Sequence, residues 1–470
     1  MLEKFFKRKL WESLAVIFAA LMAVMFVASQ AIVPFNNEIS AFLGTHDYEE
    51  VTLSPEEGET EVIIDRAALK SAAEIEEYYR AVNEEVQGEG LVLLKNEGDA
   101  LPLANDSKVS FALSGSAKIF YATHGPGVRR QGRLIDLKEA IETNTDMTVN
   151  QPIYNFLVTG TGKSGRGISG GVFMTNETGW NTYVNANLKE EYAKSGDAVI
   201  AVITRESGEG VDVSYKGSDG IDGSYLSLTA QELEVLEGLA QMKRAGEIEK
   251  IIVLINSAVT IECDFLYNDN YGIDAAMWIG LPGASGMNAV AKALVGEINP
   301  SGKLSDTFLK DNFSSPAAMY WAVNDGFSSS YANTSELGLN SSQEYYGVYA
   351  EGIYVGYRYY ETRYEDYVMK SACVGEYDYS ADVAYPFGYG LSYSKFEYSD
   401  FGVEEVKDAN GNVTAYSVTV TVTNRGTVAG KEAVQVGTCF FAKDNIFPAK
   451  TFYFAVIPRS KRTDKLVFYA

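Results

Sequence analysis

Short apolar runs alternating with helix-periodic stretches fill the middle of this chain. Leu91-Val92-Leu93-Leu94, Val109 to Leu113, Ala198 to Ile203, Ile251 to Ile255 and Ala275 to Ile279 are apolar segments bounded by polar or turn-forming residues. Runs this short, without alternation and mostly rich in Val and Ile, read as strands covered on both faces. Ala67 to Val86, Leu188 to Lys194, Thr229 to Lys243 and Ala284 to Val295 instead repeat apolar residues at helical spacing. Gly88 and Gly90 are expected to end the first of these helices. The alternation predicts an α/β fold, with βαβ units forming a mostly parallel sheet sandwiched by helices.

Beyond Pro300 the pattern changes. Residues 316–394 are rich in Tyr, Ser and Gly and weakly periodic, which predicts a long irregular connecting region of the kind that carries function or packs over another domain. In residues 395–470 the alternation from Tyr416 to Thr423, followed by the turn Asn424-Arg425-Gly426, predicts a small β-sandwich. At the other end, Lys4, Lys7, Arg8 and Lys9 precede a stretch without charge from Ser13 to Asn37. A spanning helix needs about 20 apolar residues and a secretory core about 7 to 15. The full stretch therefore predicts an anchor, while its dense part, Leu14 to Ala28, fits a leader cleaved near Ser29-Gln30-Ala31. Either reading exports the rest, because the basic cluster keeps the N-terminus cytoplasmic. The expected organisation is a cytoplasmic tail over 1–12, a transmembrane anchor over 13–36 and a linker over 37–66. An α/β domain over 67–315, the connecting region and the β-domain follow, all outside a cell membrane crossed once.

Composition narrows the function classes. A net charge of −24, with no basic stripe beyond the N-terminus, argues against nucleic acid as a partner. The 31 tyrosines suit sugars and other amphipathic ligands. Cys263, Cys373 and Cys439 are too scattered for a disulfide framework, and His46 and His124 cannot by themselves build a metal site. Gly160-Thr161-Gly162-Lys163-Ser164 imitates a phosphate-binding loop, but Leu157 stands where the motif's first Gly belongs and the glycines that follow are poor helix starters. No cofactor is expected.

The stretch that carries chemistry is Arg205-Glu206-Ser207-Gly208-Glu209-Gly210-Val211-Asp212, just after the run Ala198 to Ile203. Ligands of parallel sheets bind at the carboxyl ends of strands. Gly208 and Gly210 bracket Glu209 and permit positive φ, which would push its carboxylate out of the loop. The same residues also fit a solvated acidic loop, the reading that composition by itself favours.

Several stretches, in order, resemble the family 3 glycoside hydrolases, a β-glucosidase-like family. Gly88-Glu89-Gly90-Leu91-Val92-Leu93-Leu94-Lys95-Asn96-Glu97 through Leu101-Pro102-Leu103 resembles the entry to that family's second domain, a six-stranded α/β sandwich. Ser207-Gly208-Glu209-Gly210 with Asp212 resembles its acidic catalytic loop. Gly280-Leu281-Pro282-Gly283 with Gly286, Asn288 and Ala289, then Gly296 and Asn299-Pro300-Ser301-Gly302-Lys303-Leu304, resembles its closing strand, helix and exit. Tyr385-Pro386-Phe387-Gly388-Tyr389-Gly390-Leu391-Ser392-Tyr393 resembles the bridge into a fibronectin III-like domain, here incomplete, and Ala429-Gly430-Lys431-Glu432 with Val434-Gln435 resembles one of its strands. The likeness runs from about Ser71 to Gln435.

The resemblance implies a retaining glycosidase acting on terminal β-glycosidic bonds of an oligosaccharide or β-glucoside. One carboxylate attacks the anomeric carbon and a second, about 5 to 5.5 Å away, serves as acid and then base. By position Glu209 takes the acid/base role, and Arg205, Glu206 and Asp212 are expected beside the substrate. The family holds its nucleophile on a TIM barrel of about 250 residues. The stretch before the sandwich reads as anchor and linker, so the barrel is expected in cis, as in members with swapped domain order, and these 470 residues alone are expected to be inactive. Val213 stands where the family often has Arg, and His124-Gly125-Pro126-Gly127-Val128-Arg129-Arg130 replaces a Gly-Ser-rich loop. The alternative function is that of a noncatalytic, membrane-anchored carbohydrate-binding or scaffolding protein.

Overall fold

The computed structural model describes residues 9, 11, 14, 16–22, 24–25, 71–125, 132–162, 165–169, 172–209, 225–317, 351–371, 375–442, 445–457 and 463–469. The chain divides into two units, Met1–Ala68 and Leu69–Ala470. In the first, the described residues from 9 to 25 are helical, and Val16, Phe18, Met22 and Met25 are exposed. Among the described residues no helix is long and apolar enough to cross a membrane. Most of the expected anchor over 13–36, and all of the linker over 37–66, lie outside the described residues.

The second unit opens with α1 (Ala72–Gly90), capped by Ser71, whose hydroxyl accepts from Glu74 N at 3.2 Å. It continues with β1 (Val92–Asn96), β2 (Lys108–Ala112), α2 (Leu137–Asn144), β3 (Thr148–Val149) and α3 (Gln151–Val158). A hairpin of β4 (Gly165–Ser169) and β5 (Val172–Asn176) leads to α4 (Trp180–Asn185), α5 (Leu188–Lys194) and β6 (Ala198–Arg205). Next come α6 (Ala230–Arg244), β7 (Ile251–Ser257), β8 (Ala275–Trp278) and α7 (Met287–Leu294). The six-stranded sheet has the order β1-β8-β7-β6-β2-β3, all neighbours parallel except the edge pair β1 and β8. Every residue of β6 and β7 is buried, so both faces of the sheet are covered, as unbroken apolar runs require. The helices form two groups: α1 and α2 pack on α7, while α3, α4, α5 and α6 associate with one another.

Each apolar run forms the expected strand, and the mostly parallel α/β class holds. Two features differ from expectation. Gly88 does not end α1, which runs on to Gly90; it packs where a Cβ would approach Ile298 Cδ1 to 3.2 Å. Helices α2 and α3 were not among the expected elements, and their starts are fixed by caps from Asp136 and Asn150. After the Gly-Thr-Gly-Lys-Ser run comes strand β4, where a phosphate loop would open a helix.

The connecting region is less irregular than its composition predicts. Short β9 (Phe308–Leu309) pairs with β10 (Val383–Tyr385), and between them lie α8 (Tyr357–Met369) and α9 (Tyr379–Asp382). Residues 318–350 are outside the described set. The α8 pattern is hidden by chemistry: Tyr357, Tyr360, Tyr364 and Tyr367 recur at helical spacing, but tyrosine reads as half polar. Tyr360 packs with Leu309 and Val383 in a small separate cluster. Beyond it, Leu391 N donates to Leu93 O at 2.8 Å and Tyr389 OH to Leu94 O at 3.1 Å, which joins this stretch to the edge strand β1.

The last described strands are β11 (Phe396–Lys407), β12 (Val413–Asn424), β13 (Glu432–Ala442), β14 (Asn445–Ile457) and β15 (Thr463–Tyr469). They form two antiparallel sheets, β11-β12-β15 and β13-β14. In β12, Val418, Val420 and Val422 are buried and their neighbours are not, the predicted alternation. Asn424 Oδ1 accepts from Gly426 N at 2.8 Å and closes the expected turn.

Candidate functional site

Strand β6 lies inside the sheet and ends in the acidic stretch, so its last residue emerges at the carboxyl edge beside the ends of β2 and β7. That residue, Arg205, is fully buried. Its guanidinium donates to both oxygens of Glu232, at 2.8 and 2.7 Å, to Thr204 O at 3.0 Å, and to Tyr225 O and Ser227 O at 2.6 Å each. All five N–H groups of the side chain are thereby used, and none is left for a sugar hydroxyl. Arg205 was expected beside the substrate; instead it ties the start of the acidic loop to the residues that close it.

Glu232 does two jobs. It is the fourth residue of Thr229-Ala230-Gln231-Glu232, a capping box at the start of α6, in which Thr229 N donates to Glu232 Oε2 at 2.8 Å and Glu232 N to Thr229 Oγ1 at 3.2 Å. The same carboxylate faces Arg205. A local helix-start signal therefore also carries the ion pair that fixes the loop.

Glu206 is only 7% exposed, and the solvated loop acid that composition suggested is not what the structure shows. Its Oε2 lies 3.0 Å from His124 Nε2, and its backbone N donates to Tyr225 OH at 2.7 Å. Glu209, by contrast, is exposed. Its backbone N donates to His124 O at 3.0 Å, and His124 N donates to Ser207 O at 3.0 Å, so Gly208 pairs with His124 as a short parallel bridge. Gly208 is demanded by this close approach, not by positive φ: a Cβ there would fall 2.4 Å from His124 O. Gly210 and Asp212 lie outside the described residues.

His124, Phe120, Phe173, Tyr225 and Asn256 are members of the site that sequence reasoning did not single out for it. The imidazole lies between Phe120 and Phe173, with ring centroids 5.7 and 5.5 Å away, and Phe173 stacks in turn on Tyr225 at 6.2 Å. Asn256, buried in β7, accepts from Phe120 N at 2.7 Å and donates to Phe120 O at 2.9 Å. The one available signal was Asn256 itself, a polar residue closing an apolar strand at its carboxyl end.

Glu177, just after β5, takes hydrogen bonds from Ser114 N and Oγ at 3.0 and 2.8 Å and from Thr178 N at 3.0 Å. Burial pushes its carboxyl up to about 7, with the Glu232 charge adding to the rise and the Thr178 and Ser114 bonds opposing it. A carboxyl raised in the folded state binds its proton more tightly there than in the unfolded chain. Its contribution to stability is full below the unfolded value and falls as pH rises through about 7. Melting temperatures of wild type and Glu177→Gln are expected to converge toward acid pH, and wild type should lose more than the variant between about pH 5 and 7. Comparing the two at each pH removes the parallel contribution of Glu262, also raised to about 7 by burial. Equal slopes would remove this account of Glu177.

The family description of the glycosyl hydrolase family 3 C-terminal domain matches residues 91–357. A β-glucosidase of Ruminococcus albus is 30% identical over 361 residues, covering 75% of this chain and 31% of its own length. Thermostable β-glucosidase B of Acetivibrio thermocellus is 29% identical over 348 residues, covering 74% of this chain and 37% of its own length. Among solved structures, β-glucosidase 3B from Thermotoga neapolitana in complex with α-D-glucose superposes with a TM-score of 0.63 at 25% identity, over 84% of this chain and 48% of that one. The chain thus spans less than half the length of each of these three relatives. With a family match over residues 91–357, the chain belongs to glycosyl hydrolase family 3, and those residues correspond to that family's C-terminal domain.

Proposed function

We propose that this chain supplies the acid/base half of a retaining β-glucosidase-type active site, with Glu209 as acid/base and a β-glucoside or the end of an oligosaccharide as substrate. The observation that carries the reading is the contrast within one loop: Arg205 and Glu206 are buried and engaged, whereas Glu209 stands exposed on a backbone held to His124. Glu209 protonates the leaving oxygen as the glycosidic bond breaks, then takes a proton from the water that releases the sugar. Arg205 and Glu206 act through the loop, and Asp212 is assigned to the substrate side.

The attacking carboxylate is taken to come from a barrel domain, in the part of the relatives that this chain does not span. The 470-residue chain by itself is then expected to give no turnover of aryl β-glucosides, and joining it to a family 3 barrel should create it. Turnover by the purified chain would overturn this division of the site. The strands β11 to β15 are assigned to a fibronectin III-like module, and the charge-free stretch from Ser13 to Asn37 to a single membrane anchor with the α/β domain outside. Protease added to intact cells should digest that domain; full protection would reverse the orientation.

A further inference from the structure

The geometry points to His124 as a positioning residue for Glu209, an inference that rests on the acid/base reading above. Two main-chain hydrogen bonds, His124 N to Ser207 O and Glu209 N to His124 O, grip the residues on either side of Gly208. Main-chain bonds fix the loop only as well as residue 124 is itself fixed. Its side chain is held three ways: by Glu206 Oε2 at 3.0 Å, by the Phe120 ring and by the Phe173 ring. Phe120 is clamped at both its N and its O by buried Asn256, and Phe173 belongs to the β4-β5 hairpin. A continuous set of contacts therefore runs from Asn256 in the sheet, through Phe120 and His124, to the backbone of Glu209.

The closed circuit is the unusual part. Glu206 and Glu209 belong to one loop, and His124 binds the first by its imidazole and the second by its carbonyl. Removing the imidazole leaves both main-chain bonds available but lets residue 124 turn between the two aromatic rings. The exposed carboxylate three residues beyond Glu206 then loses its fixed origin. General acid catalysis is sensitive to such a loss, since a misplacement of about 1 Å can cost up to about 10²-fold in rate.

Two measurements on His124→Ala and His124→Gln test this. In the 470-residue chain, amide hydrogen exchange at Glu209 should accelerate in His124→Ala and stay near wild type in His124→Gln, with exchange in β6 and β7 unchanged in both. In the enzyme joined to its barrel, His124→Ala should lower kcat/KM for a disaccharide more than for an aryl glycoside with an acidic phenol, by up to about 10²-fold, with most of the loss in kcat. His124→Gln, which keeps a donor toward Glu206, should recover most of it. If His124→Ala does not fold, His124→Phe keeps the ring contacts and removes only the hydrogen bond to Glu206. Unchanged exchange at Glu209 overturns the proposal, as does an equal loss on both substrates with no recovery by Gln. If Glu209→Ala itself shows no leaving-group dependence, the acid/base reading falls, while the exchange result still decides whether His124 holds the loop.

Discussion

Replacing Glu209 with alanine, in this chain joined to a family 3 barrel, is expected on the proposed acid/base role to lower kcat/KM for disaccharides by about 10²- to 10⁴-fold, the range that a positioned general acid supplies. That is about 3 to 5 kcal/mol of barrier. The loss should follow the leaving group. A sugar leaves as a strongly basic alkoxide unless it is protonated, whereas an acidic phenol departs unaided. The aryl substrate should therefore still form the covalent glycosyl-enzyme, which then accumulates because no base activates water. Azide, which attacks without a base, should restore turnover and yield the glycosyl azide. Glu206→Ala is expected to give no azide rescue, since that carboxylate is buried against His124. Equal losses on activated and natural substrates, or rescue in Glu206→Ala alone, would remove Glu209 from the role.

The largest effect on stability is expected at Arg205. Breaking a buried ion pair by removing one partner costs about 3 to 5 kcal/mol, because the remaining charge is left without compensation. For a domain of this size each kcal/mol moves the melting temperature by about 2 to 4 °C, so Arg205→Met should melt about 6 to 20 °C below wild type. Glu232 is 2% exposed and would keep an unpaired carboxylate. Removing both charges, as Arg205→Met with Glu232→Leu, should recover part of the loss. Recovery stays partial because Thr204 O, Tyr225 O and Ser227 O lose their donor and Thr229 N its cap acceptor. A double variant less stable than either single one would argue against the ion pair as the reason.

The loop also shows why sequence reading, which expected Arg205, Glu206 and Glu209 together beside the substrate, could not tell their burial apart. Glu209, Glu206 and Arg205 are all polar residues after an apolar strand, and nothing local separates an exposed acid from a buried one. Arg205 is buried because Glu232, 27 residues on, and three carbonyls meet it; that spacing has no period to read. Glu206 is buried against His124, 82 residues back, which arrives from the irregular segment that follows β2. Local signals served better for elements. The helical spacing of apolar residues from Thr229 to Lys243 announced α6, whereas the tyrosine stripe of α8, in which Tyr360 is the buried residue, was masked because tyrosine reads as half polar.

What the sequence by itself determined follows from short-range physics. Unbroken apolar runs admit only strands covered on both faces, so β1, β2, β6, β7 and β8 and their mostly parallel sheet were readable, and with them the edge of the sheet at which ligands meet a loop. The stretches between Ser71 and Gln435 that resemble the family, Ser207-Gly208-Glu209-Gly210 among them, were readable because the spacing within each is local. Only the tertiary structure decided which carboxylate faces solvent, which arginine is spent inside the core, and why residue 208 must be glycine: a carbonyl from His124 comes too close for any side chain. Those outcomes depend on contacts between residues far apart in the chain, set when the ends of β2, β6 and β7 pack together, and burial there turns identical polar letters into opposite roles.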